Sequence, residues 1–463
     1  MKSQRYEESI LKIRWIIHIN SIGINLAKSK MASKHIINLK NMNPAVLQAE
    51  YAVRGAMVIR AKQIKEEIQA GSKKYPFKDL TECNIGNPQA FGQQPFSFHR
   101  QVLSVLMNPS LLHTKVYHDD VYKRAELYLN SIEHGLGAYS DSQGFPIVRK
   151  NIARYIEQRD GFPSNPDNIY TTDGASSGIN IALELLLSGP NDGVMIPIPQ
   201  YPLYTALLAL KNANPVPYFL NEEKGWSVDT ELLQQVYDEN TKKGINIKAL
   251  VVINPGNPTG QVLSESDMKK IVEFASKNRI VILADEVYQL NVYTKNKKFT
   301  SFKKICASMP NHPVDLFSFH STSKGIMGEC GIRGGYFEIF NIDKDVHFQL
   351  EKLRTMFLCS NTTGQILTDL MVNPPNPEEN SPEVLEQYNR EYQNNYNSLV
   401  YRAKLVTDSL RKMKNVICNE VEGAMYAFPR IHLPEKAIEE AQRRNQAPDL
   451  FYTMSGKLNI WFG

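Results

Sequence analysis

Short runs of apolar and β-branched residues punctuate the middle third of the chain. They are "NIYTTD" (168–173), "GVMIPIP" (193–199), "ALVVIN" (249–254), "IVILADE" (280–286), "LFSFHS" (316–321) and "GYFEIF" (335–340). Between several of them the apolar spacing is helical, at Ile179–Leu187, Tyr204–Lys211 and Ser266–Lys277. Ser264, with Asp267 a turn later, gives the last of these a capping start. Buried strands separated by helices predict βαβ units and a mostly parallel sheet, an α/β fold. Helical spacing also covers 44–69 and 384–413, and "VNPPNPEENSPE" (372–383) is a loop by its prolines. The middle therefore reads as one large domain, and the two ends as candidates for a smaller unit.

Composition narrows the class. A chain of 463 residues, 42% hydrophobic, is long enough for two or three structural units. The 53 Lys and Arg exceed the 48 Asp and Glu by a net +5, without the long basic run that nucleic acid would want. No apolar run reaches the ~18 residues of a membrane span. The five cysteines (Cys83, Cys306, Cys330, Cys359, Cys418) are scattered, with no Cys-x-x-Cys, and read as reduced thiols; no metal ligands are assigned. The basic, apolar start "ILKIRWIIHINSIGI" reads either as a mitochondrial presequence or as an extension without a role, and Met31 precedes a more ordinary sequence.

In such sheets ligands bind outside the carboxyl ends of the strands, so the residues just after each strand carry the functional argument. After "NIYTT" stands "DGASSG", a G-x-S-x-G at Gly174, Ser176 and Gly178. Between a strand and a helix this is the context of a hydrolase nucleophile elbow, with Asp285 and His320 as later partners. It is equally the context of an anion cradle, in which amides from Ala175 onward and the hydroxyls of Ser176 and Ser177 hold a phosphate. A plain helix cap is the third reading. Tyr201, before a proline, is held extended, so its ring either stacks on a planar ligand or packs under the loop. Asn257, in "PGNPTG", has an amide that can donate and accept, or serves only the turn.

Asp285 follows five apolar residues, and a carboxylate at the end of a buried strand is costly unless paired. Tyr288 brings a phenol to the same place. Lys324 lies in "FHSTSKGIMGECGIRGGY" with Ser321, Ser323 and Arg333. A lysine becomes a nucleophile, able to form an imine, when burial or nearby cations lower its pKa; otherwise this one is a solvated amine in a glycine loop. Together the strand ends fit one ligand, a planar phosphorylated pyridine aldehyde. The cradle, Ser321 and Arg333 would take the phosphate, Tyr201 would cover the ring, and Asp285 would pair with the protonated ring nitrogen. Asn257 and Tyr288 would bond the ring oxygen and Lys324 would form the imine. The hydrolase reading uses only one of these strand ends.

Whole segments carry a family likeness. "CNIGNPQAFGQQP", "GAYSDSQG", "TDGAS", "IPIPQYPLY", "NPGNPTGQVLS", "ADEVYQ" and "SFHSTSKGIMGECGIRGGYFE" resemble the class I/II pyridoxal-phosphate-dependent aminotransferases, from Asn41 to Tyr452. The "HSTSKG…GECG-x-RGGY" and "VNPPNP" segments resemble the alanine aminotransferase subfamily within it. The resemblance implies fold type I of the PLP-dependent transferases, a large domain with a mostly parallel sheet plus a smaller α+β domain. The expected division is an extension (1–40), a helical arm with part of the small domain (41–135), the large domain (136–371), the proline loop (372–383) and the rest of the small domain (384–463).

The resemblance also implies pyridoxal 5'-phosphate as cofactor and a ping-pong exchange, L-alanine plus 2-oxoglutarate giving pyruvate plus L-glutamate. It makes Lys324 the base and acid that moves the substrate proton, with Asp285 and Tyr288 beside it. It implies a homodimer, with Tyr139 reaching the phosphate bound in the partner subunit, and Gly86 lying against the substrate carboxylate. The cytoplasm is the expected location, with the mitochondrial matrix as the alternative.

Past Tyr452 the resemblance stops. The family carries a late arginine that grips the substrate α-carboxylate. Arg430 belongs to the "FPR" turn, and Arg443 and Arg444 to a polar helix, so none stands at that position. The C-terminal domain is therefore expected to be incomplete. A charge-assisted hydrogen bond is worth roughly 1.5–3 kcal/mol, so its loss should weaken binding and catalysis by about one to two orders of magnitude. Two alternatives remain: a PLP-binding homologue with impaired or no turnover, and a serine hydrolase built on Ser176.

Overall fold

Each of the six apolar runs becomes a strand of one sheet, and a seventh joins them. The strands are β1 (Ile169–Thr171), β2 (Asp192–Ile198), β3 (Asn214–Phe219), β4 (Asn246–Ile253), β5 (Val281–Asp285), β6 (Leu316–Ser321) and β7 (Gly335–Phe340). The computed structural model describes residues 36–49, 51, 56–80, 86–445 and 448. The sheet order is β1-β7-β6-β5-β4-β2-β3, parallel from β3 to β6, with β7 antiparallel to both β6 and β1. The strand that the apolar pattern misses is β3, "NPVPYF". Its two prolines lack N–H donors and are tolerated because β3 is an edge strand, paired only with β2. Its side chains alternate, with Val216 and Tyr218 buried and Pro215, Pro217 and Phe219 facing out.

The central strands are apolar along their length because both faces are covered. Ala249, Val251 and Ile253 of β4 pack with helices Ala175–Leu186, Leu203–Leu210 and Lys344–Thr355. Leu250 and Val252 pack on the other face with helices Thr230–Lys242, Glu265–Asn278 and Phe302–Ser308. The cap predicted at Ser264 forms: its hydroxyl accepts from Asp267 N at 3.1 Å and donates to the Asp267 carboxylate at 2.7 Å. A third core joins helices Ser97–Met107, Asp119–Ser131, Pro146–Asp160 and Thr362–Val372.

The chain divides into a first unit, Met1–Pro44, and a second, Ala45–Gly463. The helical pattern over 44–69 appears as two described helices, Pro44–Gln48 and Ala56–Gln69. The proline-rich loop ends at Ser381, whose hydroxyl caps the long helix Pro382–Arg411, and Pro382 fits its first turn. Strands β8 (Val416–Ile417) and β9 (Arg430–Ile431) pair antiparallel beyond it, followed by helix Glu435–Arg443. No described helix is long and apolar enough to cross a membrane.

Candidate active site

At the β1 end the chain turns through Gly174, at φ 78°, into helix Ala175–Leu186. Only glycine fits there: a Cβ would lie 2.4 Å from Arg333 Nη2. The Arg333 guanidinium donates to Asp173 O at 2.8 Å, Ser176 Oγ at 3.2 Å, Ser323 Oγ at 3.3 Å and Cys330 O at 3.2 Å. All four acceptors are neutral, and among the described residues no carboxylate pairs with it. The first-turn amides of the helix have no intrahelical acceptor and carry the positive end of its dipole. The helix start at Ala175 and Ser176 and the Arg333 guanidinium thus put positive charge together at this strand end. Asn361 braces it from the side, donating to Asp173 Oδ1 at 2.8 Å and to Arg333 O at 3.0 Å. Ser321 closes β6 nearby and accepts from Ser323 N at 3.4 Å.

Asp285 ends β5 with its carboxylate buried. Its Oδ2 accepts from the Tyr204 hydroxyl at 3.0 Å, while no donor among the described residues meets Oδ1 in hydrogen-bonding geometry. Burial pushes this carboxyl up to about 6, against the stabilising effect of Tyr204, the Val287 amide and Lys324. Burial likewise holds the Lys324 amine below the ordinary lysine range; Arg333 acts in the same direction, and Cys330 and Asp285 oppose it.

Lys324 Nζ donates to Gly86 O. A Cβ on Gly86 would lie 2.7 Å from the Tyr426 hydroxyl and 3.2 Å from Lys324 Nζ, so these three groups crowd one spot. The Tyr288 hydroxyl donates to that of Tyr426 at 3.0 Å. Tyr201 stands within electrostatic reach of Asp285 and Tyr426, and its hydroxyl shares a 2.8 Å hydrogen bond with Tyr51.

The structure therefore brings together Gly86, Ala175, Ser176, Tyr201, Asp285, Tyr288, Ser321, Lys324 and Arg333. Asn257 lies on the turn after β4, the strand beside β5, and its side chain makes no hydrogen bond among the described residues. Tyr139 is 77% exposed. The hydrolase arrangement is not assembled. Ser176 accepts from a guanidinium instead of facing a base, Asp285 holds Tyr204, and among the described residues buried His320 shares no hydrogen bond with Ser176 or Asp285. The late arginines are engaged elsewhere, Arg430 with Glu222 at 2.8 Å and both Arg443 and Arg444 with Glu440. The chain past Tyr452, where the family's carboxylate-gripping arginine is expected, lies outside the described residues, as do residues 1–35.

Sequence reasoning missed Tyr204, Tyr426 and Asn361. The cost of burying Asp285 was a signal that a donor must exist, and Tyr204 stands in the already singled-out "QYPLY".

A buried acid, a buried lysine and a helix N-terminus faced by an arginine lie at neighbouring strand ends. Residues 110–450 match the model of the family described as aminotransferase class I and II, and the chain belongs to that family. It is 47% identical over 434 residues to "Probable alanine aminotransferase, mitochondrial" of Dictyostelium discoideum, covering 91% of this chain and 81% of that one. It is 43% identical over 425 residues to "Glutamate--glyoxylate aminotransferase 2" of Arabidopsis thaliana, covering 90% and 86%. Among solved structures it superposes on an alanine aminotransferase from Pyrococcus furiosus with a TM-score of 0.66 at 24% identity, over 85% of this chain and 84% of that one, a likeness of fold.

Proposed function

We propose that this chain exchanges amino groups between L-alanine and 2-oxoglutarate, forming pyruvate and L-glutamate, with pyridoxal 5'-phosphate as cofactor. The observation that carries the reading is the buried Asp285 Oδ1, which meets no donor in hydrogen-bonding geometry among the described residues, set between strand ends that also hold Arg333, with no carboxylate partner among them, and the buried Lys324. When bound, pyridoxal phosphate supplies an aldehyde for the amino exchange and a ring that takes up the electron pair left on the substrate α-carbon. Arg333, Ser176, Ser321 and the Ala175 amide would hold its phosphate. Asp285 Oδ1 would accept the ring N–H, Asn257 and Tyr288 would meet the ring oxygen, and Tyr201 would cover the ring face. Lys324, whose pKa burial lowers, would take the proton from the substrate α-carbon and return it later in the turnover. Gly86, which touches the lysine, would lie against the substrate carboxylate.

A homodimer completes the reading. Tyr139, Met356, Phe357 and Leu358 are exposed, the last three on the segment leading to Asn361 beside the cradle. Exposed apolar groups clustered this way suit a subunit interface. Tyr139 would then reach the phosphate bound in the partner subunit. Sedimentation of the purified chain reads the subunit count.

The purified chain, loaded with pyridoxal phosphate, should form pyruvate from L-alanine when 2-oxoglutarate is present, and Lys324→Ala should abolish turnover and alter the visible absorbance of the bound cofactor. Cofactor binding without turnover would favour the impaired homologue instead. A relative named for glutamate and glyoxylate makes glyoxylate the rival acceptor, to be tested as a competitor. A mitochondrial relative supports the matrix alternative over the cytoplasm, which microscopy of a tagged full chain would decide.

A further inference from the structure

Behind the lysine chamber lies a second space that the proposed reaction does not use. It is a cleft of about 180 Å³ between the Pro88–Phe91 turn, the long helix Pro382–Arg411 and the segment 421–427. Phe91, Leu399, Val406, Val421 and Met425 give it a mostly apolar lining, to which Gln93 and Arg402 add polar groups. Tyr426 lines it too. The same tyrosine turns its hydroxyl toward Lys324, where it takes a hydrogen bond from Tyr288 and lies close against Gly86. Its ring also packs with Val287, Tyr288 and Ala424. One side chain therefore separates the two spaces, and it is pinned at its tip.

The chamber side is tight. A single added carbon at Gly86 would come within 2.7 Å of the Tyr426 hydroxyl and 3.2 Å of Lys324 Nζ. On the proposed reading, a donor side chain longer than a methyl group would run into this wall. The cleft side is roomy by comparison: an apolar cavity of roughly 150 Å³ accepts a benzene-sized group.

We infer that Tyr426 sets the size limit of the amino donor: its ring excludes bulky side chains from the space beside Lys324, and removing it joins that space to the apolar cleft. This rests on the aminotransferase reading. Tyr426 acts by occupying volume, with its hydroxyl as the pin, so the ring matters more than the oxygen. Tyr426→Phe should keep the ring and most of the discrimination, while Tyr426→Ala should admit leucine- and phenylalanine-sized donors.

The test follows the half-reaction, in which an amino acid alone discharges the visible absorbance of the cofactor-loaded chain. Rates are measured for L-alanine, L-leucine and L-phenylalanine. A hydrophobic pocket discriminates about 10- to 200-fold per group. The leucine-to-alanine ratio of kcat/KM should therefore rise at least about tenfold in Tyr426→Ala and change less than about threefold in Tyr426→Phe. Ala403→Trp, which fills the cleft from the long helix, should reverse the gain when combined with Tyr426→Ala. If Tyr426→Ala fails to hold cofactor, Tyr426→Val makes the same comparison. An unchanged ratio in a cofactor-loaded variant overturns the inference while leaving alanine turnover by the wild type intact. A wild type whose absorbance no amino acid discharges overturns the aminotransferase reading itself, and the size limit with it.

Discussion

Asp285 and Glu286 are consecutive, both acidic and both buried, yet the structure treats them in opposite ways. Glu286 has a donor for each oxygen: Phe302 N at 2.7 Å on Oε1 and Ser318 Oγ at 2.6 Å on Oε2. Asp285 has one side-chain donor, Tyr204 at 3.0 Å, and among the described residues no donor meets its other oxygen in hydrogen-bonding geometry. Burial raises both, Asp285 to about 6 and Glu286 to about 7. Successive residues of a strand face opposite sides. One side of this strand end ties elements together, and the other keeps an unmet demand for a proton donor. A buried polar group left unsatisfied costs stability, and such a cost is tolerated where a ligand repays it.

The comparison breaks first at Asp285. Asp285→Asn should lower alanine turnover by at least about a hundredfold, the scale of losing one well-placed electrostatic contact in a closed site. The cofactor-free chain should melt no lower than wild type above pH 6, because the substitution removes a buried charge. Kinetics and thermal melting of the same preparation read both, and a variant that is active but unstable would reverse the assignment. Glu286→Ala should do the opposite. It strands the Phe302 amide and the Ser318 hydroxyl, a cost of about 2–4 kcal/mol, and leaves the kcat of the folded fraction within a few-fold of wild type. Denaturant titration beside active-site counting separates the two.

This asymmetry also marks how far the sequence could be read. The apolar run before Asp285 declared its burial, and the cost of burial declared that a partner must exist. Which partner could not be known, because Tyr204 is 81 residues away and reaches Asp285 only through the sheet order. The Tyr288–Tyr426 pair spans 138 residues and was invisible for the same reason. Local signals survived well: the Ser264 cap, the long helix (expected over 384–413, found at Pro382–Arg411) and six of the seven strands follow from spacing alone. Strand β3 did not, since Pro215 and Pro217 erase the pattern that an inner strand shows and only edge position excuses them. The G-x-S-x-G at Gly174 shows the converse. The motif has the strand-to-helix context of a nucleophile elbow, and only the guanidinium on Ser176 turns the reading to an anion cradle.

Tyr204→Phe tests the one side-chain hydroxyl that Asp285 holds. Without it the carboxylate keeps only the weaker support of the Val287 amide and Lys324, so the ionised form is further disfavoured. Alanine turnover should fall about tenfold or less, matching one hydrogen bond of about 1 kcal/mol, and the affinity for cofactor should fall with it. Titrating the cofactor-free variant with pyridoxal phosphate by fluorescence checks this. Affinity equal to wild type would mean that Tyr204 supports the helix and not the acid.

The smallest effect is on pH dependence, where the two acids should again part. Below about pH 6 Asp285 is protonated and offers no charge to a ring N–H, so cofactor affinity should weaken as pH falls through that value. A cofactor phosphate titrates near pH 6 as well, so Asp285→Asn is the control: it keeps the phosphate's share and loses the rest. Glu286 should act on stability alone. Its folded-state value is raised from 4.5 to about 7, so the folded state holds that proton more tightly. Its contribution to stability is complete below pH 4.5 and is lost as pH rises through about 7. Glu286→Gln removes that loss and keeps an acceptor for Phe302 N, while the Ser318 hydroxyl can turn to accept from the new amide. The cofactor-free variant should therefore melt above wild type at pH 8 by more than it does at pH 5, with an unchanged pH profile for cofactor affinity. An altered affinity profile would mean that the two faces of this strand end are coupled.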